Sequence, residues 1–198
     1  FLLGHRDRPV VALASIADGR IVRRFTAIPA GEVTDLAASP DGKTLYYVAW
    51  GTVWAIPVTG GTARKMGPGD AVAASPDGKY LLVKIREKQG IRLTSVPVSG
   101  GPEKPIPFQS DLRVVTGQFP PNAIARDGRV LITVEPPDTW FYEAAVLDPR
   151  TGKVTRIPLD FTGDVLSPGW LHDGRVLASG FPLRAALWRF HALPNAAK

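Results

Sequence analysis

The sequence predicts an all-β chain of repeated four-stranded antiparallel units, and three observations carry that prediction. Ser39-Pro40-Asp41-Gly42-Lys43 returns as Ser75-Pro76-Asp77-Gly78-Lys79, with weaker echoes at Arg126-Asp127-Gly128-Arg129 and His172-Asp173-Gly174-Arg175. Each copy lies between a short run rich in small residues and a β-branched or aromatic run. Gly-Gly pairs recur downstream, at Gly60-Gly61 and Gly100-Gly101. Self-similarity of this kind decides the architecture before any local reading. The 20 glycines and 19 prolines of the 198 residues come at intervals between apolar runs, which reads as punctuation of short strands. No window has the period and caps of a substantial helix.

The repeated turn explains itself residue by residue. Serine suits the first position, proline sets φ at the second, aspartate tolerates the third, and glycine takes the left-handed fourth. The expected form is a type I turn with a bulge. Asp41, Gly42, Asp77, Gly78, Asp127, Gly128, Asp173 and Gly174 are therefore read as structural turn residues. Ser39 and Ser75 are read as turn initiators, not nucleophiles.

Taken in order, residues 9–16 and 21–26 form a hairpin across Asp18-Gly19. Nothing in residues 1–8 reads as the inner strands that would precede it, so 9–31 is an outer half unit. The first full unit, 32–67, has strands at 35–38, 44–49, 52–58 and 62–66, with a tight turn at Trp50-Gly51. The second, 68–108, has 71–74, 80–85, 91–98 and 103–107. Prolines in its last strand suit an outer edge. The third, 122–160, has 123–125, 130–134, 141–147 and 154–159, after an insertion at 109–121 and around another at 135–140. The last, 165–195, has 169–171, 176–179 and 186–192, and lacks a fourth strand. The turn aspartates recur at steps of 36, 50 and 46 residues, drifting only through insertions. A β-sandwich also spaces strands regularly, but does not repeat one turn at one step.

Four antiparallel strands in about 36 residues is the size of a β-propeller blade. Ala37, Ala38, Ala73 and Ala74 suit a crowded innermost strand. Leu45, Val48, Leu81, Val83, Leu131 and Val134 suit middle strands covered on both faces, as do Val53, Ile56, Val96, Val146 and Leu187. Trp54 and Trp188 are expected to pack blade against blade.

The segments AASPDGKTLYYV, VWAIPVTGGTARKM, AASPDGKYLLV and LTSVPVSGG resemble the TolB-type, WD-repeat-like propeller family of bacteria. The third and fourth units lack the Ser-Pro. The resemblance implies a non-catalytic propeller and a periplasmic or extracellular location. It also implies attachment, in some relatives, to serine/threonine kinases, transcriptional regulators or prolyl-oligopeptidase-like peptidases. The blades add up to about four to five, whereas relatives close with six or more. The chain is thus expected to be the C-terminal part of a larger propeller, with missing blades before Phe1. A compact four-bladed closure is the alternative and leaves a surplus strand. The end at residues 193–198 reads as a chain terminus, which disfavours a following hydrolase domain.

Composition narrows the chemistry. There is no cysteine, so disulfides, thiolate metal sites and a cysteine nucleophile are excluded. His5, His172 and His191 have no metal-ligand spacing, and no cofactor is expected. Neither a Gly-x-Ser-x-Gly elbow nor a phosphate loop occurs. No apolar run is long enough for a membrane span, and no signal peptide is visible. The net charge of +6 is scattered, the mark of a solvated surface and not of a nucleic-acid stripe.

Function is expected on one end of the blades. The Asp-Gly and Gly-Gly turns share one end and are short. The other end carries the variable connections 27–34, 50–51, 67–70, 87–90, 109–121, 135–140, 160–168 and 180–184. Long loops on a rigid scaffold concentrate binding residues, and aromatics with arginine are common anchors. Trp50, Trp140, Phe181, Arg113 and Arg184 are the candidate binding residues for a protein or small-molecule ligand. The alternative function is an accessory or sensor propeller of a larger bacterial enzyme, either a receptor-like serine/threonine kinase or, as the less favoured case, a prolyl-oligopeptidase-like peptidase.

Overall fold

The computed structural model describes residues 2–5, 8–26, 28, 33–120 and 122–184, with side chains from residue 11 onward. The described residues form antiparallel sheets and no helix. The first sheet holds β1 (Leu2–His5), β2 (Arg8–Ala14) and β3 (Ile21–Phe25). The second holds β4 (Val33–Ala38), β5 (Thr44–Ala49), β6 (Thr52–Pro57) and β7 (Arg64–Pro68). The third holds β8 (Ala71–Ala74), β9 (Tyr80–Glu87), β10 (Gly90–Pro97) and β11 (Lys104–Pro105). The fourth holds β12 (Arg113–Val114), β13 (Val130–Glu135), β14 (Glu143–Leu147) and β15 (Val154–Arg156). The fifth pairs β16 (Gly163–Trp170) with β17 (Val176–Pro182). Each four-stranded sheet is a meander in chain order, and the first strands of the second and third sheets, β4 and β8, lie side by side. This is the blade arrangement of a β-propeller.

The period-2 alternation of strands sends successive side chains to opposite neighbours. On β5, Tyr47 and Ala49 join Val11 and Phe25 of the first sheet, while Tyr46 and Val48 join Val72, Leu81 and Val83 of the third. On β9, Leu82 turns the other way, to Val130, Ile132 and Val134. The core is therefore a series of seams between blades, each as dry as a domain interior. Trp54 packs in the first seam, stacked on Tyr47 with ring centroids 6.4 Å apart. Trp188 and Leu187, and the expected strand 186–192, lie outside the described residues, as does His191. The seam between the second and third sheets leaves no room at Gly69. A Cβ there would sit 2.6 Å from Val53 Cγ2 and closer still to Val83 Cγ1. Both are stiff β-branched side chains, so Gly69→Ala is expected to cost about 1–3 kcal/mol by overpacking. A urea titration of the variant checks it, and an unchanged midpoint would contradict it.

The repeated turns have the expected geometry. Gly42 N–H donates to Ser39 O at 2.9 Å and Gly78 N–H to Ser75 O at 2.9 Å. Both glycines have positive φ, 68° and 70°. The serine hydroxyl works twice. Ser39 Oγ donates to Asp41 Oδ1 at 2.6 Å and accepts the Thr44 N–H at 2.9 Å, and Ser75 repeats both bonds. These contacts hold the Asp41 and Asp77 carboxyls below the ordinary range, the serine hydroxyl contributing most. The third and fourth turns, without serine, close one residue tighter, Ala125 N–H to Arg129 O and Leu171 N–H to Arg175 O.

Four expectations need correction. Residues 2–5 form a strand paired with β2, so the first sheet shows three strands where an outer hairpin was expected. The first strand of the fourth sheet is Arg113–Val114, not 123–125. Residues 123–125 supply only a bridge, Ile124 to Val130, and a bond from Leu131 N–H to Ala123 O. The inner edge of that sheet is thus split, with residues 116–120 leaving the ladder after its first piece. The expected 169–171 strand begins at Gly163 and runs through Ser167-Pro168. A register shift between Leu166 and Gly169, with Ser167 at φ 50°, accommodates the proline. Finally, residues 180–182 belong to β17, so Phe181 stands on a strand and not on a loop.

Candidate functional site

Hairpin order sets the two ends of the molecule. The Asp-Gly and Gly-Gly turns lie at one end, and the second-to-third-strand turns and blade crossovers lie at the other. At that second end, Trp50 and Gly51 close β5 onto β6 with φ of 50° and 65°. Positive φ at both central residues is the two-residue hairpin solution that matches strand twist. Glycine takes it freely. Tryptophan does not, because its Cβ crowds the following carbonyl. Trp50 is nevertheless 69% exposed and holds no core position.

Trp140 sits on the equivalent connection of the fourth sheet and is 98% exposed. Its flanks are clamped. Arg156 reaches both oxygens of Asp138, at 3.0 and 3.1 Å, and both oxygens of Glu143 at 2.7 Å. Asp164 Oδ1 accepts the Tyr142 N–H at 2.8 Å. The guanidinium holds the Asp138 carboxyl below its ordinary range, and the carboxylates of Glu143 and Asp138 hold Arg156 above its own. An indole on a braced connection is presented to solvent at little ordering cost on binding.

The other predicted residues are spread more widely. Arg113 lies on β12, 3.6 Å from Glu135, and lines a cleft of about 430 Å³ with Arg86, Gln89 and Tyr142. Phe181 is 57% exposed on β17, paired with Asp164, and Arg184 is exposed just beyond that strand. The five residues therefore fall on three sheets, and Arg113 alone of them lines that cleft.

Reading the sequence missed a buried polar knot on the inner side of the blades. Asp35 and Lys84 are 4% and 3% exposed. Asp35 accepts the backbone N–H groups of Val72 at 2.8 Å and Leu36 at 2.9 Å. Lys84 donates to the carbonyls of Val115 and Gly117, both at 3.3 Å, and its ammonium lies 4.6 Å from the Phe119 ring centroid. Gln118 Nε2 donates to Thr34 O at 2.5 Å. Together these bonds pin the 116–120 segment across β4 and β8. Burial pushes the Asp35 carboxyl up to about 6, against the pull of its N–H donors and of Lys84. Burial pushes the Lys84 ammonium down to about 8, with Asp35 opposing. A charged residue within a predicted strand was the available signal. It was unreadable without knowing that residue 119 returns to meet it.

Among the described residues no three His, Asp or Glu side chains gather as a metal site, and no helix is long and apolar enough to cross a membrane. No family model matches the chain, and no curated protein does either. Solved structures do. A putative TolB from Agrobacterium tumefaciens aligns over 81% of this chain and 57% of its own, with TM-score 0.63 and 19% identity. TolB from Acinetobacter baumannii aligns over 85% and 42%, with TM-score 0.62 and 19% identity. The β-propeller domain of Swd1 from Myceliophteria thermophila aligns over 88% and 58%, with TM-score 0.59 and 13% identity. At these identities the likeness is one of fold. The chain spans about half the length of the propeller structures it matches.

Proposed function

We propose that this chain is a non-catalytic propeller module that recognises a protein or small ligand through the end bearing its variable connections. Trp50 and Trp140 act as anchors, with Arg113, Phe181 and Arg184 around them. The observation that carries this reading is Trp50 itself. Its turn needs a residue tolerant of positive φ, which asparagine or glycine supplies at no cost. Tryptophan supplies strain and leaves a large indole in water, so the fold gains nothing from it. Strained residues of this kind cluster at functional sites, and tryptophan is the residue most enriched among binding hot spots. Trp140, braced by the Arg156 clamp, adds a second exposed indole at the same end. The compartment that goes with this reading is the periplasm or the cell exterior, as the resemblance of the repeat implies.

The test immobilises the wild-type chain, Trp50→Asn and Trp140→Ser in parallel and exposes them to the same cell extract. The expected result is a partner held by the wild type and lost from both variants, with all three chains folded. A partner held equally by all three would overturn the assignment of this end.

A further inference from the structure

We propose that the opposite end of the molecule carries a separate site for a carboxylate borne on an apolar body. It lies where the first turns of the third, fourth and fifth sheets converge, in a cleft of about 430 Å³.

The turn repeat departs from itself at one position. Its second turn position is Pro40 in the first copy and Pro76 in the second, the residue that turn geometry favours. In the next two copies the same position holds Arg126 and His172. These sit on adjacent sheets, and the structure brings them together, with Arg126 Nη2 3.2 Å from His172 Nε2. A preferred turn residue has been replaced twice by groups that meet.

The charges around the pair are already spoken for. Asp127 is bonded by Arg129 Nε at 2.8 Å, and Asp173 by Arg175 Nε at 2.8 Å. Among the described residues Arg126 has no carboxylate partner, and its contact with His172 requires the imidazole to offer a lone pair. Trp170 lines the cleft beside them. Its Nε1 is buried and has no hydrogen-bond partner among the described residues, while Arg129 covers the ring at 5.4 Å. A guanidinium without a carboxylate partner and an imidazole thus meet at the cleft. Ile124, Leu171 and Pro76 give the cleft an apolar floor.

An entering carboxylate would accept from the Arg126 fork in the bidentate geometry that guanidinium favours. His172 would then present an N–H in place of its lone pair, by change of tautomer. The cleft has the volume of small-ligand sites in general, and its apolar floor favours an organic acid over inorganic phosphate. It lies at the end away from Trp50 and Trp140, so it stands or falls independently of the proposed recognition surface.

Calorimetric titration of the whole chain tests the site with 3-phenylpropionate, N-acetyl-Phe-Leu with a free carboxylate, the amides of both, and inorganic phosphate. Saturable binding of at least one acid, at least tenfold tighter than its amide and than phosphate, is expected. Binding of the peptide acid alone would assign a peptide C-terminus as the source, and binding of phenylpropionate alone a free organic acid. Arg126→Pro and His172→Pro restore the residue that the repeat carries in its first two copies. Each is expected to keep the urea midpoint and weaken the acid at least tenfold, while Arg20→Ala on the first sheet leaves it unchanged. Arg126→Ala serves if a proline variant does not fold. Equal binding of acid and amide, tighter binding of phosphate, no binding of either acid, or full affinity in the Arg126 variants overturns the proposal.

Discussion

Lys84→Met is expected to destabilise the chain by about 3 kcal/mol, because it leaves the Asp35 carboxylate buried without its compensating charge. The same substitution removes the donor to the Val115 and Gly117 carbonyls and the cation over Phe119. Hydrogen exchange should therefore accelerate at the 116–120 segment before it does so at β9. The double variant Asp35→Asn/Lys84→Met is expected to recover most of the loss. A buried charge pair replaced by neutral groups of similar size is often as stable as the original, and residues joined in one network do not add. A double variant no better than the single would show that Lys84 acts through its carbonyl bonds alone.

The same pair shapes the dependence of stability on pH. Asp35 titrates at about 6 in the fold, against an ordinary 3.8, so the folded chain holds its proton more tightly than the unfolded chain. Its contribution is fully present below about pH 4 and is lost as pH rises to about 6. Lys84 titrates at about 8 in the fold, against an ordinary 10.5, so the folded chain releases its proton more readily. Its contribution grows as pH rises from about 8 towards 10.5. Between pH 6 and 8 both groups are charged and their joint contribution is lowest. Each limb is on the order of 3 kcal/mol. The turn aspartates, held below their ordinary range, slope the opposite way at acid pH. The comparison is therefore between the wild type and Asp35→Asn, by urea midpoints from pH 4 to 10. The acid limb should vanish in Asp35→Asn and the alkaline limb in Lys84→Met. Parallel curves for wild type and Asp35→Asn between pH 4 and 6 would refute the assignment.

Trp50→Asn is expected to move stability and binding in opposite directions. Asparagine is at ease at positive φ, and relief of the crowded Cβ should raise stability by about 1 kcal/mol. The indole is exposed, so its loss removes little packing. Binding should fall about 30-fold or more, the effect of losing a hot-spot tryptophan worth about 2 kcal/mol. Trp50→Phe keeps the strain and part of the aromatic surface, and should show unchanged stability with intermediate affinity. Urea midpoints and affinities measured on the same preparations decide the matter. A fall in stability in Trp50→Asn would mean that the indole packs against the fold, and the argument from strain would fail.

Local chemistry was the legible part of this chain. The Ser-Pro-Asp-Gly-Lys turns could be read in advance because every bond that shapes them lies within five residues. The alternation on β5 and β9 could be read because the strand period is two, whatever the neighbour. Strand edges were harder. Leu2–His5 has no alternation to mark it, and it becomes a strand only because β2 offers it an open ladder. Ser167-Pro168 looks like a loop, since proline and a polar neighbour usually end a strand. It lies within β16 because a bulge absorbs both residues. Of the site residues, the exposure of Trp50 and Trp140 followed from their place on connections. The knot of Asp35, Lys84 and Phe119 and the meeting of Arg126 with His172 did not.

The division has one physical cause. By itself the sequence determined the turns, the strand faces and the blade as a repeating unit. Dihedral preference, side-chain alternation and side-chain-to-turn bonds all act over a few residues. The tertiary structure alone decided which turns share an end with which partners and where the 116–120 segment lodges. It also decided that two residues at one turn position, 46 apart in the chain, come within 3.2 Å. Those outcomes depend on how blades pack about an axis, which no short stretch of the chain encodes.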